Sequence, residues 1–476
     1  MIEVSRNSII IRNVDFSSEG YTKFTKSLSV WNPAQFKYES SIINIIDNDI
    51  YAPASIGIKY VVAYFPTKEV IYSNKCAATK PLNFIMRSTP KDDIQRDAIK
   101  FITRMKNDDN NRSRFLSLKP NSGKTYISIV MISLFKVKAM IIVDKESLAE
   151  QWKLRITQHS TLEESRIKIL SGQKQIEDAV ANPDNYDIYI AIHATLNNVL
   201  KKDKNGLNEL NNKLGIGFRI FDEAHLNFKN ICAINSFSNV EYTLYLTATP
   251  SRSGFRENTL YGKVFHDIPY YNGLLTDPTL KKRYINCILY KFSSQPDEKT
   301  KLACKTKQGF SVPLWARYLE SEKYDALFEC IKEIFDKFKL KKYNLKIAIV
   351  LPTINLINKV KDDLDEYLGE SCGVFVGGLT KEEQDAALNS KIFITNPKVF
   401  GEGIDVQDLE VLINFVPFTS QGRLEQLIGR IRYGDNKAHV YIDVTDTGFP
   451  KCRTQLYTRK KYFQNEAWYI KSIQEK

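Results

Sequence analysis

The sequence offers no apolar run long enough to cross a bilayer. Its strongest candidates, KAMIIVD and KIAIV, are strand-length and flanked by charge. The opening MIEVSRNSIIIRN lacks the layout of a secretory leader. There is no Cys-x-x-Cys pair, because the seven cysteines are scattered at 76, 232, 287, 304, 330, 372 and 452. That scatter argues against both a disulfide framework and a zinc site. Short-period repeats and a low-complexity tail are also missing. These absences predict a folded, cytoplasmic protein with no membrane partner.

With 476 residues, the chain is too long for one ordinary domain, and two or three are expected. Hydrophobic residues at 43% and charged residues at 26% fit a soluble protein with real cores. A net charge of +13 favours polyanion partners through phosphate contacts and counterion release. A generally basic proteome would give the same balance without any such partner.

Three regions read differently. Residues 1–83 alternate short strand and helix signals (SIIIRNV, ESSIINIID and EVIYS around ASIGIKYVVAYF), which predicts a small N-terminal α/β domain. From 84 to 268, the runs FLSL, AMIIVD, IKIL, IYIAI, FRIFD and TLYLTA alternate with helical stretches, the pattern of a parallel sheet wrapped by helices. Residues 269–345 read as a less regular bridge. The alternation restarts over 346–476 with KIAIVL, GVFVGG, KIFITN, VLINFV and HVYIDV.

Two motifs carry chemistry. KPNSGKT at 119–125 follows a strand and opens an apolar helix, so its backbone N–H groups and the helix N-terminus suit a phosphate. Ser122 and Gly123 shape that loop, Lys124 would reach the β- and γ-phosphates, and the Thr125 hydroxyl would bind Mg²⁺. Leu118 stands where the full pattern has its first glycine. Taken alone, a Gly-Lys-Thr helix start with no ligand is an equal alternative. FDEAH at 221–225 ends a later strand. Adjacent carboxylates are costly to crowd unless a cation or water needs them, which predicts Asp222 on Mg²⁺ and Glu223 polarising the attacking water. An exposed acidic turn is the bland alternative.

NSGKT, DEAH, LTATP at 246–250 and QLIGRIR at 426–432 together resemble motifs I, II, III and VI of superfamily 2 helicases, over roughly residues 90–445. The resemblance implies two RecA-like lobes, each a parallel α/β sheet, with ATP in the cleft between them. It implies nucleic-acid-stimulated ATP hydrolysis. Gln95 matches the adenine-reading glutamine, an amide able to pair bidentately with the base edge, though a helix-surface residue looks the same. Ser147 in VDKESLAEQW and Thr195 in AIHATL match loops that hold strand phosphates, while helix capping explains both equally well. Thr247 and Thr249 match the segment that couples phosphate state to nucleic-acid grip, which implies that both contact the nucleic acid. NPKVFGEGIDV resembles motif V, implying that Gly403 shapes a tight turn and Asp405 meets the ribose. Arg423, Gln426 and Arg430 fall on one helical face by spacing. Arg430 is the expected arginine finger, with Arg432 as a candidate if the helix ends before it.

Gln in motif VI, DEAH in motif II and the aromatic-rich N-terminal region are most similar to phage branch-migration DNA helicases of the UvsW type. That implies a host-cell cytoplasmic monomer acting on branched or duplex DNA in recombination, repair or replication. A duplex translocase that does not separate strands (a transcript-release factor or restriction motor), an RNA helicase and an ATP-independent scaffold remain open readings.

Overall fold

The computed structural model describes the chain except residues 33–36, 41, 74, 75, 77, 78, 110, 120, 121, 249–254, 274–282, 308, 401–405, 407, 419, 432–438, 475 and 476. It divides into two compact units, Met1–Asp277 and Pro278–Lys476.

The first unit holds two sheets. One is a small mixed sheet of five strands: Ile2–Val4, Ser8–Ile11, Asn44–Ile46, Asp49–Pro53 and Val70–Tyr72. The other has seven parallel strands: Ser113–Ser117, Ala139–Val143, Ile167–Leu170, Ile188–Ile192, Phe218–Phe221, Tyr242–Thr247 and Tyr270–Tyr271. Counted in chain order, they lie in space as 3-4-2-5-6-1-7. Every residue of Ala139–Val143 and of Phe218–Phe221 is buried. This explains why those segments read as continuous apolar runs: helices cover both faces of such a sheet.

The small sheet is not a loose appendage. Ile2, Ile9, Ile11 and Ile50 join Phe221, Ile231, Phe237 and Tyr245 in one apolar core. Buried Asn7 acts as a polar pin between the two sheets. Its backbone N–H donates to Asn239 Oδ1 (2.8 Å), its Nδ2 to Thr243 Oγ1 (3.0 Å), and its Oδ1 accepts from the Val240 N–H (2.8 Å). Lys263 Nζ donates to the Ser27 carbonyl at 3.0 Å. Removing residues 1–83 would therefore strip one face of the core from everything that follows.

The second unit repeats the large sheet. Its strands are Arg283–Phe292, Ile347–Val350, Gly373–Phe375, Ile392–Thr395, Val411–Asn414, His439–Asp446 and Ala467–Gln474, all parallel and again ordered 3-4-2-5-6-1-7. The stretch read as a bridge thus supplies a ten-residue strand, Arg283–Phe292, as well as the helices Val312–Glu322 and Tyr324–Lys337. Helix Pro450–Glu466 and the edge strand after it complete the unit. They are anchored by the buried Arg459, 2% exposed, whose guanidinium grips Asp443 through two nitrogens at 2.7 and 2.9 Å. No helix among the described residues is long and apolar enough to cross a membrane.

Candidate functional site

The loop after the first strand of the first sheet runs into helix Lys124–Phe135. Gly123 precedes the helix in the left-handed region, φ +86°. A Cβ there would lie 2.1 Å from Gln95 Nε2, so both the angle and the space call for glycine. Gln95 braces the loop from behind: Nε2 donates to the Ser122 carbonyl at 3.2 Å and Oε1 accepts from the Lys91 N–H at 3.0 Å. Only 3% exposed, Gln95 stands in this structure as an internal strut of the phosphate loop, with its amide turned inward. Lys124 Nζ donates to the Leu118 carbonyl at 2.9 Å, folding back over the loop where a phosphate would sit. Thr125 follows it on the first turn of the helix, beside four N–H groups that the helix itself leaves without acceptors.

Asp222 and Glu223 end the fifth strand, next to that loop. Burial, then the neighbouring Glu223, pushes the Asp222 carboxyl up to about 6, while the Trp152 indole and Lys124 pull it down. Lys124 thus reaches electrostatically from the phosphate loop to the acidic pair. The Trp152 indole N–H donates to Asp222 Oδ2 at 2.8 Å, and Asp222 Oδ1 accepts the Glu223 N–H at 3.0 Å. Trp152 is not among the residues that the motifs mark, although it closes the VDKESLAEQW run that carries Ser147. Its partner is seventy positions away, and no local pattern signals it.

Glu223 has φ +46°, a conformation that costs a side-chain-bearing residue of order 1–3 kcal/mol. The strain turns the side chain out of the strand line, toward His225, whose Nδ1 lies 3.3 Å from Glu223 Oε2. His225 Nδ1 also lies 2.8 Å from Thr247 Oγ1. Asp222, Glu223, His225 and Thr247 therefore form one connected path from the acidic pair to the end of the sixth strand.

That path corrects one expectation. Thr247 is fully buried, the last residue of an interior strand, and its hydroxyl faces His225 rather than a nucleic acid. Thr195, 6% exposed on the inner side of helix His193–Lys202, is likewise closed to a strand backbone. Ser147 is exposed near the start of helix Glu146–His159, where a phosphate could meet it. Thr249 lies outside the described residues.

In the second unit, helix Gln421–Ile428 ends two residues before Arg430. Arg430 therefore sits in the turn just beyond the helix, half-buried. Gly429, still near helical angles, donates to the Glu425 carbonyl at 2.8 Å, and Arg430 tightens the turn with a bond to the Leu427 carbonyl at 3.1 Å. The approach to this helix is fixed from below: Arg459 Nη1 donates to the Phe418 carbonyl at 2.7 Å. Arg432, Gly403 and Asp405 lie outside the described residues, as does the Gln426 side chain.

A hydroxyl and a carboxylate, Thr125 and Asp222, are the hard oxygen donors that Mg²⁺ takes. A carboxyl whose charged form burial disfavours is also one that a cation would relieve. Among the described residues, no group of three or more His, Cys, Asp or Glu side chains is preassembled for a metal. A Mg²⁺ here would therefore arrive with nucleotide phosphates.

Two parallel sheets of identical strand order, with a phosphate loop and an acidic pair at the edge of one, define an ATP-hydrolysing helicase or translocase with RecA-like lobes. Residues 90–252 match the family model "Type III restriction enzyme, res subunit", and residues 322–434 match "Helicase conserved C-terminal domain". The chain belongs to the superfamily 2 helicases, enzymes that use ATP with a divalent metal, generally Mg²⁺. It is 24% identical over 453 residues to the DNA 3'-5' translocase XPB2 of Sulfurisphaera tokodaii, covering 85% of this chain and 95% of that one. It is 23% identical over 369 residues to the transcript termination protein A18 of Yaba monkey tumor virus, covering 72% and 70%. Among solved structures, S. cerevisiae Dbp5 bound to RNA and ADP BeF3 superposes with a TM-score of 0.53 at 16% identity, over 80% of this chain and 89% of that one.

Proposed function

We propose that this enzyme is an ATP-driven DNA translocase that remodels branched or duplex DNA and works as a monomer. The observation that carries the motor reading is the convergence of Lys124, Asp222, Glu223 and the Trp152 brace at one edge of the first sheet. The choice of DNA is supported by the +13 charge and by the alignment with a DNA translocase along nearly its whole length. The N-terminal sheet, pinned to the first lobe through Asn7, gives that lobe a fixed extra surface beside the motor.

In this reading, Lys124 and the loop N–H groups hold the nucleotide's phosphates. Thr125 and Asp222 hold Mg²⁺, which supplies charge neutralisation at the phosphates. Glu223 orients and polarises the attacking water. Arg430 stabilises the charge that develops in transfer, a role worth roughly 10³–10⁵ in rate in other phosphoryl-transfer enzymes. Arg432 is a second candidate for that role. Gly403, Asp405 and Gln426 are the nucleotide contacts of the second lobe, and Gln95 sets the phosphate loop of the first. Ser147 and Thr249 contact the strand's phosphates. The path Glu223–His225–Thr247 transmits the state of the site to the segment that follows the sixth strand.

A second reading, release of transcripts by movement along duplex DNA, is favoured by the relative named as a transcript termination protein. The deciding experiment measures ATP hydrolysis with single strands, duplex, forks, four-way junctions and RNA, beside strand-displacement and triplex-displacement assays. Stimulation by junctions with strand displacement supports branched-DNA remodelling. Triplex displacement without strand separation supports the second reading. Stimulation by RNA alone overturns both.

A further inference from the structure

The second unit carries a cavity of about 770 Å³ that the nucleotide site does not use. It opens at the carboxyl ends of the strands Arg283–Phe292 and His439–Asp446, where open parallel sheets commonly receive ligands. Lys291 enters it one residue before the end of its strand, on the same face as the buried Leu289. Helix Pro450–Glu466 contributes Arg453, Tyr457 and Lys460, whose spacings of four and three put them on one stripe. Lys301 closes the far side, and no carboxylate is among the described residues that line the cavity.

The charges there are largely unanswered. Lys301 pairs with Glu298 at 2.7 Å. Arg453 donates to the Thr447 carbonyl at 3.0 Å. Lys291, Arg453 and Lys460 have no carboxylate partner among the described residues. A solvated basic face usually alternates its charges or spreads them over a convex surface. Here four cations share one concavity, where like charges repel and field lines converge. Tyr457, 59% exposed, stands between Arg453 and Lys460, with Lys461 Nζ 4.8 Å from the centre of its ring as a further cation beside it. Cations following a groove around an open aromatic ring form the pairing that holds a nucleic-acid backbone while stacking on a base or sugar.

We infer that this cavity is a nucleic-acid backbone site, in which Lys291, Arg453 and Lys460 bind successive phosphodiesters of a DNA strand and Tyr457 stacks against it. The inference rests on the DNA-translocase reading and locates one of its grips away from the motif loops. It makes the carboxyl-terminal helix part of the track and assigns that helix a task besides completing the sheet.

The test uses the full chain with Lys291, Arg453 and Lys460 all changed to Gln, and a separate Tyr457→Ala variant. Binding of a fluorescent DNA fork is measured by anisotropy across a potassium chloride series without nucleotide, alongside DNA-free ATP hydrolysis and thermal melting. Each lost phosphate contact should flatten the slope of log affinity against log salt by about 0.9, so the triple variant should lose nearly three from the slope. Its affinity at moderate salt should fall on the order of 100-fold, with DNA-free hydrolysis and melting unchanged. Tyr457→Ala should weaken binding about tenfold and leave the slope alone. A triple variant with wild-type slope and affinity overturns the inference while leaving the translocase reading intact. Pyrophosphate competing fully at micromolar concentration also overturns it, by showing a small-anion pocket. A wild-type protein that binds no DNA overturns both readings together.

Discussion

The two large sheets share one strand order, yet only one is built to hold a nucleotide, and the difference lies in what meets the end of the first strand. In the first unit, that end leads through Ser122 and Gly123 into helix Lys124–Phe135, so its N–H groups face outward. In the second, the matching turn is closed by a carboxylate of the protein itself. Asp446 accepts from the Ser294 N–H at 3.1 Å, the Ser294 hydroxyl at 2.6 Å and the Gly448 N–H at 3.0 Å. An internal anion occupies donors of the kind that the first unit keeps for phosphate. Duplicated topology therefore provides two possible phosphate cradles, and a single buried Asp is enough to close one of them.

The largest effect expected from this contrast is on turnover. Glu223→Gln keeps shape and hydrogen bonding but removes the charge that polarises water. Single-turnover hydrolysis should fall by about 10³-fold, while ATP affinity, read by equilibrium binding, stays within a factor of two. A loss of binding equal to the loss of rate would show that Glu223 holds the nucleotide rather than acting on water.

Next is the stability of the two cores, each of which buries an arginine differently. Arg459 is matched by Asp443, whereas Arg219 meets only neutral acceptors among the described residues, Asn235 Oδ1 at 2.8 Å and the Ser238 hydroxyl and carbonyl at 2.7 and 3.5 Å, and burial lowers its guanidinium to about 10. Arg459→Leu leaves Asp443 buried without its cation and should cost the second unit about 3–5 kcal/mol. Arg219→Met removes an unmatched charge and should cost markedly less. Urea unfolding followed separately in each unit checks the ranking, and equal losses would refute it.

An acid response should separate the units as well. Each large sheet has a polar group at its fourth strand end with no hydrogen-bond partner among the described residues: His193, on both ring nitrogens, and Thr395 Oγ1. Only the histidine titrates. Burial lowers it to about 4 from an ordinary 6.5, so the folded state keeps it neutral. Its contribution is fully present above pH 6.5 and is lost as pH falls toward 4, a loss of about 3 kcal/mol at most. His193→Phe, stacked on Phe221 as His193 is, should flatten that acid limb in the first unit. An unchanged limb would place the acid sensitivity elsewhere.

What the sequence made legible follows the same physics. The five interior strands of the first sheet stand out because both faces are covered, and Lys124, Asp222 and Glu223 stand out because their roles need contiguous residues. The strand Arg283–Phe292 hid inside an apparent bridge because Arg283, Asn286 and Lys291 break its apolar run. Ala467–Gln474, an edge strand with polar residues outward, gave no continuous signal either. The short motifs around Thr247 and Thr195 carry no sign of depth, so the burial of both residues shows only in the fold. Arg459, Trp152 and Asn7 act through partners distant in sequence, so only the fold displays them.

The smallest effect is also the most discriminating, because it compares two tryptophans doing the same thing in different places. Trp152 donates to Asp222 at 2.8 Å, and Trp315 donates to Asp446 at 3.1 Å. If the indole beside Asp222 orients a metal ligand, Trp152→Phe should raise the Mg²⁺ concentration that half-saturates hydrolysis by roughly tenfold, the low end for loss of a partner behind a ligand. Trp315→Phe removes the same donor from a carboxylate that closes a turn. It should leave the Mg²⁺ dependence unmoved and cost the second unit about 1–3 kcal/mol. Were both variants to shift the Mg²⁺ requirement alike, the effect would be general loosening, and Trp152 would lose its assigned part in the site.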